Sequence, residues 1–196
     1  MSKPKNAKRS TAVQRIFQLH IQLEYLEPAI WRRVWVPDTL TLDKLNRVIQ
    51  TAMGWRNAHM HAFTVGAVRY AIPDPDWPSR IETRDERVFD LAAVLDDGTT
   101  EFIYTYDFGD DWRHRVKVEL AMEPTEKNSR PLCVAGASAC PPEDVGGPPG
   151  YSDFLQAILD PVHPEHLPMW EWNGGPFDPT GFDLNSVNAA MRKLRP

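Results

Sequence analysis

The sequence predicts an α+β domain: a mixed, largely antiparallel sheet, one helix from the N-terminal half packed on it, and a helical C-terminal part. Three observations predict it. Apolar and polar residues alternate with period two in several runs up to Leu120, one clear helical stripe interrupts those runs, and beyond a Pro/Gly-rich stretch the apolar period becomes helical.

From Ile16 to Glu24, Phe17, Leu19, Ile21 and Leu23 point one way and Gln18, His20, Gln22 and Glu24 the other, the pattern of a half-buried strand. Glu27-Pro28 marks a turn, and Ile30 to Val36 reads as a second strand, antiparallel to the first and ended by Pro37. Thr41 is placed to cap a helix whose Leu42, Leu45, Val48, Ile49, Ala52 and Met53 form one stripe, closed by Gly54. His61 to Val65 is a third strand, followed by a connection from Pro73 to Pro78 and an aperiodic charged stretch from Arg80 to Arg87, expected to be mobile. Asp90 is placed to cap a short helix through Leu91, Ala92 and Leu95, with Asp97-Gly98 turning into a strand that carries Phe102, Tyr104 and Tyr106. The turn Asp107-Phe108-Gly109-Asp110-Asp111 then leads into Trp112, His114, Val116, Val118 and Leu120, alternating with charged residues, which predicts a hairpin.

Residues 124–150 read as a Pro/Gly-rich connection. After it, Tyr151, Phe154, Leu155, Ile158 and Leu159 define a helix, His163 to Trp172 a short turn or helix, and Asp183 caps a last helix carrying Leu184, Val187, Met191 and Leu194. The expected organisation is a basic, disordered tail at 1–14 and a single α+β domain at 15–196.

Composition bounds the function classes. The chain has 196 residues, 42% of them hydrophobic, with 18 Pro and 2 Cys, so the fold rests on packing and not on a disulfide framework. Its net charge is -5 although Lys3, Lys5, Lys8 and Arg9 stand near the start; without these four of the 22 basic residues, 18 face 27 acidic ones. Such a body is a poor match to a phosphate backbone, which disfavours a nucleic-acid-coating role. The leader has no apolar signal region and no run approaches a membrane span, so the expected location is the cytoplasm, with reduced thiols and no membrane partner.

Four segments, read in order, carry a resemblance: Pro28-Ala29-Ile30-Trp31-Arg32-Arg33-Val34; Met53-Gly54-Trp55 with His59-Met60-His61-Ala62-Phe63; Tyr106 to His114; and Ala139 to Gly147 before Gly150-Tyr151. Together the chain resembles the plasmid pRiA4b open-reading-frame-three family, also described as insertion-sequence passenger proteins of a resolvase-like type. The resemblance runs from about Phe17 to the last helix. It implies a mixed α+β sheet with helices against it, and a family of undetermined biochemical function. The resolvase label itself fails on chemistry. A serine recombinase needs an early nucleophilic Ser among several Arg, whereas Ser10 lies in the tail and the next Ser after it is Ser79. Tyr104 and Tyr106 read as strand positions and not as members of a tyrosine-recombinase set.

The polar clusters offer a site. His59-Met60-His61 on an extended strand would place two imidazoles on one face, and Asp110 and His114 from the hairpin would complete a metal set of His59, His61, Asp110 and His114. In that reading Asp111 or Glu143 is the general base of a metal-dependent hydrolase, with a phosphodiester as one candidate substrate. Asp107-Phe108-Gly109 matches the magnesium-binding tripeptide of protein kinases but has none of its partners, so it reads as a turn. Cys133 and Cys140, with six residues between them, lack zinc-finger spacing, although His163 or His166 could supply further ligands. The preferred expectation is a non-catalytic binding or accessory protein, related to mobile-element passengers, whose recognition surface comprises Asp107, Asp110, Trp112, Glu143 and Asp144. A divalent metal is the one cofactor these residues suggest. The partner would be a protein or small ligand, with nucleic acid reached only through the basic tail and Arg32/Arg33.

Overall fold

The computed structural model describes residues 14–73, 82–95 and 98–194. The basic tail, most of the Pro73–Pro78 connection, the first part of the Arg80–Arg87 stretch and Asp97 lie outside the described residues. An eight-stranded sheet organises the rest: β1 (Ile16–Leu23), β2 (Trp31–Pro37), β3 (His61–Val65), β4 (Val68–Ala71), β5 (Thr83–Asp85), β6 (Glu101–Tyr106), β7 (Trp112–Met122) and β8 (Leu132–Ala137). The strand order is β5-β4-β3-β6-β7-β1-β2-β8, and every neighbouring pair is antiparallel except β4 with β5. The fold class is therefore the expected α+β.

Alternation along β1 works as predicted: Phe17, Leu19, Ile21 and Leu23 are buried, in register with Val36, Val34 and Arg32 of β2 on one side. Helix α1 (Leu42–Met53) contributes Leu45, Val48, Ile49 and Met53 to the same core. Full burial of side chains of this size is worth about 1.5–3 kcal/mol each, more than a twelve-residue helix gains from propensity, so the packed stripe is what holds it. Gly54 ends the helix at φ 100, a conformation a β-carbon would strain. Thr41 does not cap by its side chain; its hydroxyl donates to Asp43 instead. Asp90 does cap α2 (Leu91–Val94) through Ala93 N, and Asp183 caps α5 (Leu184–Met191) through Asn185 N and Ser186 N.

Two expectations are corrected. Residues 124–150 are not merely a connection, because β8 lies inside that stretch and pairs with β2 at the sheet edge. The helix predicted from Tyr151 starts earlier, as α3 (Gly147–Leu159), since Pro148 and Pro149 occupy first-turn positions where no N–H is needed. The aromatic segment after it contains α4 (His166–Asn173), which buries none of its residues. Among the described residues no helix is long and apolar enough to cross a membrane.

Outward-facing residues of the sheet are paired with one another. Glu119 accepts from both Arg33 nitrogens at 2.6 and 2.8 Å and from Gln18 at 2.7 Å, and the Arg33 guanidinium leads in holding its carboxyl down at about 2. Glu24 accepts likewise from Arg113 and Arg115. Arg32 points the other way, 2% exposed, with Nε donating to Ala52 O and a second nitrogen to Trp31 O and Ala137 O. The Arg32/Arg33 pair expected to reach a phosphate is thus one buried strut and one ion-paired side chain.

Candidate functional site

Three segments meet at one end of the sheet: the loop from α1 to β3, the β6–β7 turn and the loop before α3. The first is held from below by polar residues on α1. Gln50 accepts from Asn57 N at 3.0 Å and donates to the Tyr104 hydroxyl at 2.9 Å, while Asn46 donates to the Asn57 side chain at 2.9 Å. The fully buried Tyr104 hydroxyl in turn donates to Asn46, and burial pushes its pKa well up, so it stays a donor. Asn57 is consequently fixed at φ 56.

Tyr106 joins the first segment to the third. Its hydroxyl accepts from Ala58 N at 3.0 Å and His59 N at 3.3 Å and donates to the Glu143 carboxylate at 3.0 Å. Burial, reinforced by the Glu143 carboxylate, pushes Tyr106 up to about 12. Glu143 also accepts from Arg56 N at 2.7 Å, and Trp55 Nε1 donates to Pro141 O at 2.9 Å. Beneath them, Trp55 packs on Tyr106, Trp112 and His114 with ring centroids 5.0, 6.0 and 5.3 Å apart.

The turn is tied in by its own backbone. Asp107 and Asp111 sit at φ 54 and 52, and Asp107 Oδ1 accepts from Gly109 N at 2.9 Å, which leaves Oδ2 facing outward to His59. Asp110 Oδ2 accepts from Gly146 N at 3.1 Å, at the N-terminal end of α3 where a carboxylate is favoured. Gly147, at φ +69, packs against the Asp110 carbonyl so closely that a β-carbon there would stand 2.4 Å from it.

At the junction stands His59. Its Nε2 lies 3.0 Å from Asp144 Oδ1, 3.6 Å from Asp107 Oδ2 and 3.8 Å from Glu143 Oε2, yet this buried atom is aligned with none of them as a hydrogen bond. Ligand atoms of His59, Asp107 and Asp144 all fall within 4.8 Å of one another, the one such His/Cys/Asp/Glu group among the described residues. Atoms about 2.1 Å from a shared ion stand roughly 3–4 Å apart, so a small contraction would close this set on a cation.

The predicted residues divide accordingly. His59, Asp107, Glu143 and Asp144 converge; His61, Asp110 and His114 do not join them as ligands. His59 precedes β3, so the expected face shared by two strand imidazoles does not exist, and His61 Nε2 instead meets the buried Glu86 at 2.9 Å. Asp110 is engaged with α3, and Asp111 is exposed outside the cluster. Trp112, expected on the binding surface, is 1% exposed and forms the floor. The thiols do not make a zinc site either. Burial pushes both Cys133 and Cys140 up, Cys133 Sγ donates to Ala135 O, and His166 Nδ1 is bonded to Ala157 O at 3.0 Å. Sequence reasoning missed Tyr106, Trp55 and Asn57 as site-building residues; Asn46 and Gln50, polar residues buried beside the apolar stripe of α1, hold them in place.

His114 is fully buried, with Nδ1 donating to Trp112 O at 3.0 Å and Tyr104 O at 3.3 Å and no partner for Nε2. Burial pulls it from 6.5 to about 4. Below pH 6.5 the unfolded chain takes up a proton that the folded one refuses, so stability present above pH 6.5 is lost as pH falls toward 4, by on the order of 3 kcal/mol. Urea midpoints between pH 7 and 4.5 should therefore fall less steeply for His114→Gln than for the parent; parallel slopes would remove this residue from the acid response.

A profile of the plasmid pRiA4b ORF-3-like protein family matches residues 15–186. The chain belongs to that family. An uncharacterized protein, y4hQ, of Sinorhizobium fredii (strain NBRC 101917 / NGR234) is 39% identical over 184 residues, covering 93% of either chain. The crystal structure of the protein of unknown function MM3350 from Methanosarcina mazei Go1 is similar with a TM-score of 0.81 and 29% identity, over 91% of this chain and 99% of that one. The solved relative shares the fold, and neither relative carries a described catalytic activity.

Proposed function

We propose that the protein is a binding module built around one divalent cation, held by His59, Asp107 and Asp144 with Glu143 beside them. The observation that carries this reading is the buried His59 Nε2, which faces three carboxylates at 3.0–3.8 Å without a hydrogen bond to any. An imidazolium pairing with one carboxylate would align an N–H along a single oxygen; a central cation needs convergent donors instead. One imidazole with carboxylate oxygens suits manganese, iron or zinc, and Asp144, 69% exposed, leaves the outer side of the ion open to a ligand. Glu143 is already engaged by Arg56 N and Tyr106, which favours a positioning part over the general base of a hydrolase.

Untagged protein should take up one manganese or zinc ion per chain by elemental analysis and titration calorimetry. His59→Ala should weaken the ion by at least about 100-fold and Asp107→Asn by roughly 10- to 100-fold, with His163→Ala unchanged. No saturable uptake, or equal uptake by the His59 variant, would end the proposal. Residues 15–196 are read as one domain because a single sheet extends from Ile16 to Ala137 and α5 packs on its edge strand. The unpaired Cys133 and Cys140 support a cytoplasmic setting.

A further inference from the structure

Beside the cation cluster, α3 and α4 enclose a cleft of about 530 Å³, within the roughly 300–1,000 Å³ usual for small-ligand sites. Its walls combine two features. Phe154, Met169 and Trp172 supply an apolar side, with Trp172 still 48% exposed and held edge-on to Phe154 at 5.8 Å between ring centroids. Asp144, Asp153 and Glu165 supply carboxylates, and neither Lys nor Arg lines the cleft. Among the described residues the side chains of Asp153 and Glu165 make no hydrogen bond or ion pair. His163 accepts from Glu165 N at 3.1 Å through Nδ1, which fixes its ring at the rim.

We infer that this cleft binds a small organic cation, an ammonium on an aromatic or aliphatic body, with the body against Trp172 and Met169 and the charge between Asp153 and Glu165. Three carboxylates without a basic neighbour leave the cleft short of positive charge, and a free indole face attracts an ammonium as well as the body attached to it. An anionic ligand would meet repulsion on the same walls, and a neutral one would gain only the apolar side. This inference does not rest on the cation cluster, although Asp144 belongs to both.

The test is titration calorimetry and saturation-transfer NMR on the full chain in chelator-treated buffer, which separates the cleft from any metal. The probe is 2-phenylethylamine, compared with its neutral counterpart 2-phenylethanol. The amine should bind at least about 10-fold more tightly than the alcohol, and the double variant Asp153→Asn/Glu165→Gln should remove that preference while leaving the alcohol unchanged. Trp172→Ala should weaken both. Equal binding of amine and alcohol, an amine affinity untouched by the double variant, or no saturation below about 10 mM would overturn the inference. So would a lysine-bearing peptide that displaces the amine at far lower concentration, since the site would then belong to a protein partner.

Discussion

Arg32→Met should lower the free energy of unfolding by about 3–5 kcal/mol, a large share of the 5–15 kcal/mol typical of a folded domain. The guanidinium donates to three carbonyls from three elements, Ala52 at the end of α1, Trp31 on β2 and Ala137 on β8. A methionine of similar length fills the volume yet takes away all three of these donated bonds, and a buried acceptor left without a donor costs about 1–3 kcal/mol. It also loses the stack on Phe182, whose ring centre is 4.4 Å from the guanidinium carbon. Gly136 is part of the same arrangement, because a β-carbon there would come within 2.6 Å of Phe182 and 2.9 Å of Arg32. Arg32→Lys should recover only part of the loss, since one ammonium cannot span the three directions of the planar fork. Urea denaturation checks both variants; a loss below about 1 kcal/mol for Arg32→Met would mean that water replaces the missing donors.

Gly147→Ala is the second large effect, and it links stability to the site. Alanine would bring a β-carbon within 2.4 Å of the Asp110 carbonyl, at a backbone φ of +69 that L side chains rarely adopt. Strain and overpacking together should cost about 2–3 kcal/mol. Relief requires the start of α3 to move off the β6–β7 turn, which also breaks the bond from Gly146 N to Asp110 and carries Asp144 away from His59 and Asp107. The variant should therefore weaken manganese binding by at least about 10-fold even at temperatures where circular dichroism shows it fully folded. Unchanged metal affinity in a destabilised variant would show that the two loops are independent.

Much of the framework was legible in the sequence. The alternation of β1, the stripe of α1, the β6–β7 turn and the Asp183 cap each depend on neighbours within a few residues, and local pattern reads such distances well. β8 was not legible, because Leu132–Ala137 is short, sits among Pro and Gly, and becomes a strand only by pairing with β2 about a hundred residues earlier. The site divided along the same line. The hairpin turn and the Glu143-Asp144 loop were marked by composition, but their meeting depends on distant contacts such as Trp55 to Pro141 and Gly147 to Asp110. His59 and His61 were grouped by spacing alone; the strand begins at His61, so His59, two residues earlier, lies in the loop and the two imidazoles meet different carboxylates.

The strand order also sets a timetable. Among the described residues β1 is the first strand in chain order, yet it lies inside the sheet between β2 and β7, with Ile21 paired to both Arg32 and Val116. Its second neighbour emerges about a hundred residues later, on the order of 5–20 s at ordinary translation speeds. During that interval the β1–β2 ribbon has an open edge, and such long-range closure makes for slow folding. The polar side chains Gln18, His20, Gln22 and Glu24 on one face then keep a half-made sheet in solution until the chain has reached Met122 and the central pairing can close.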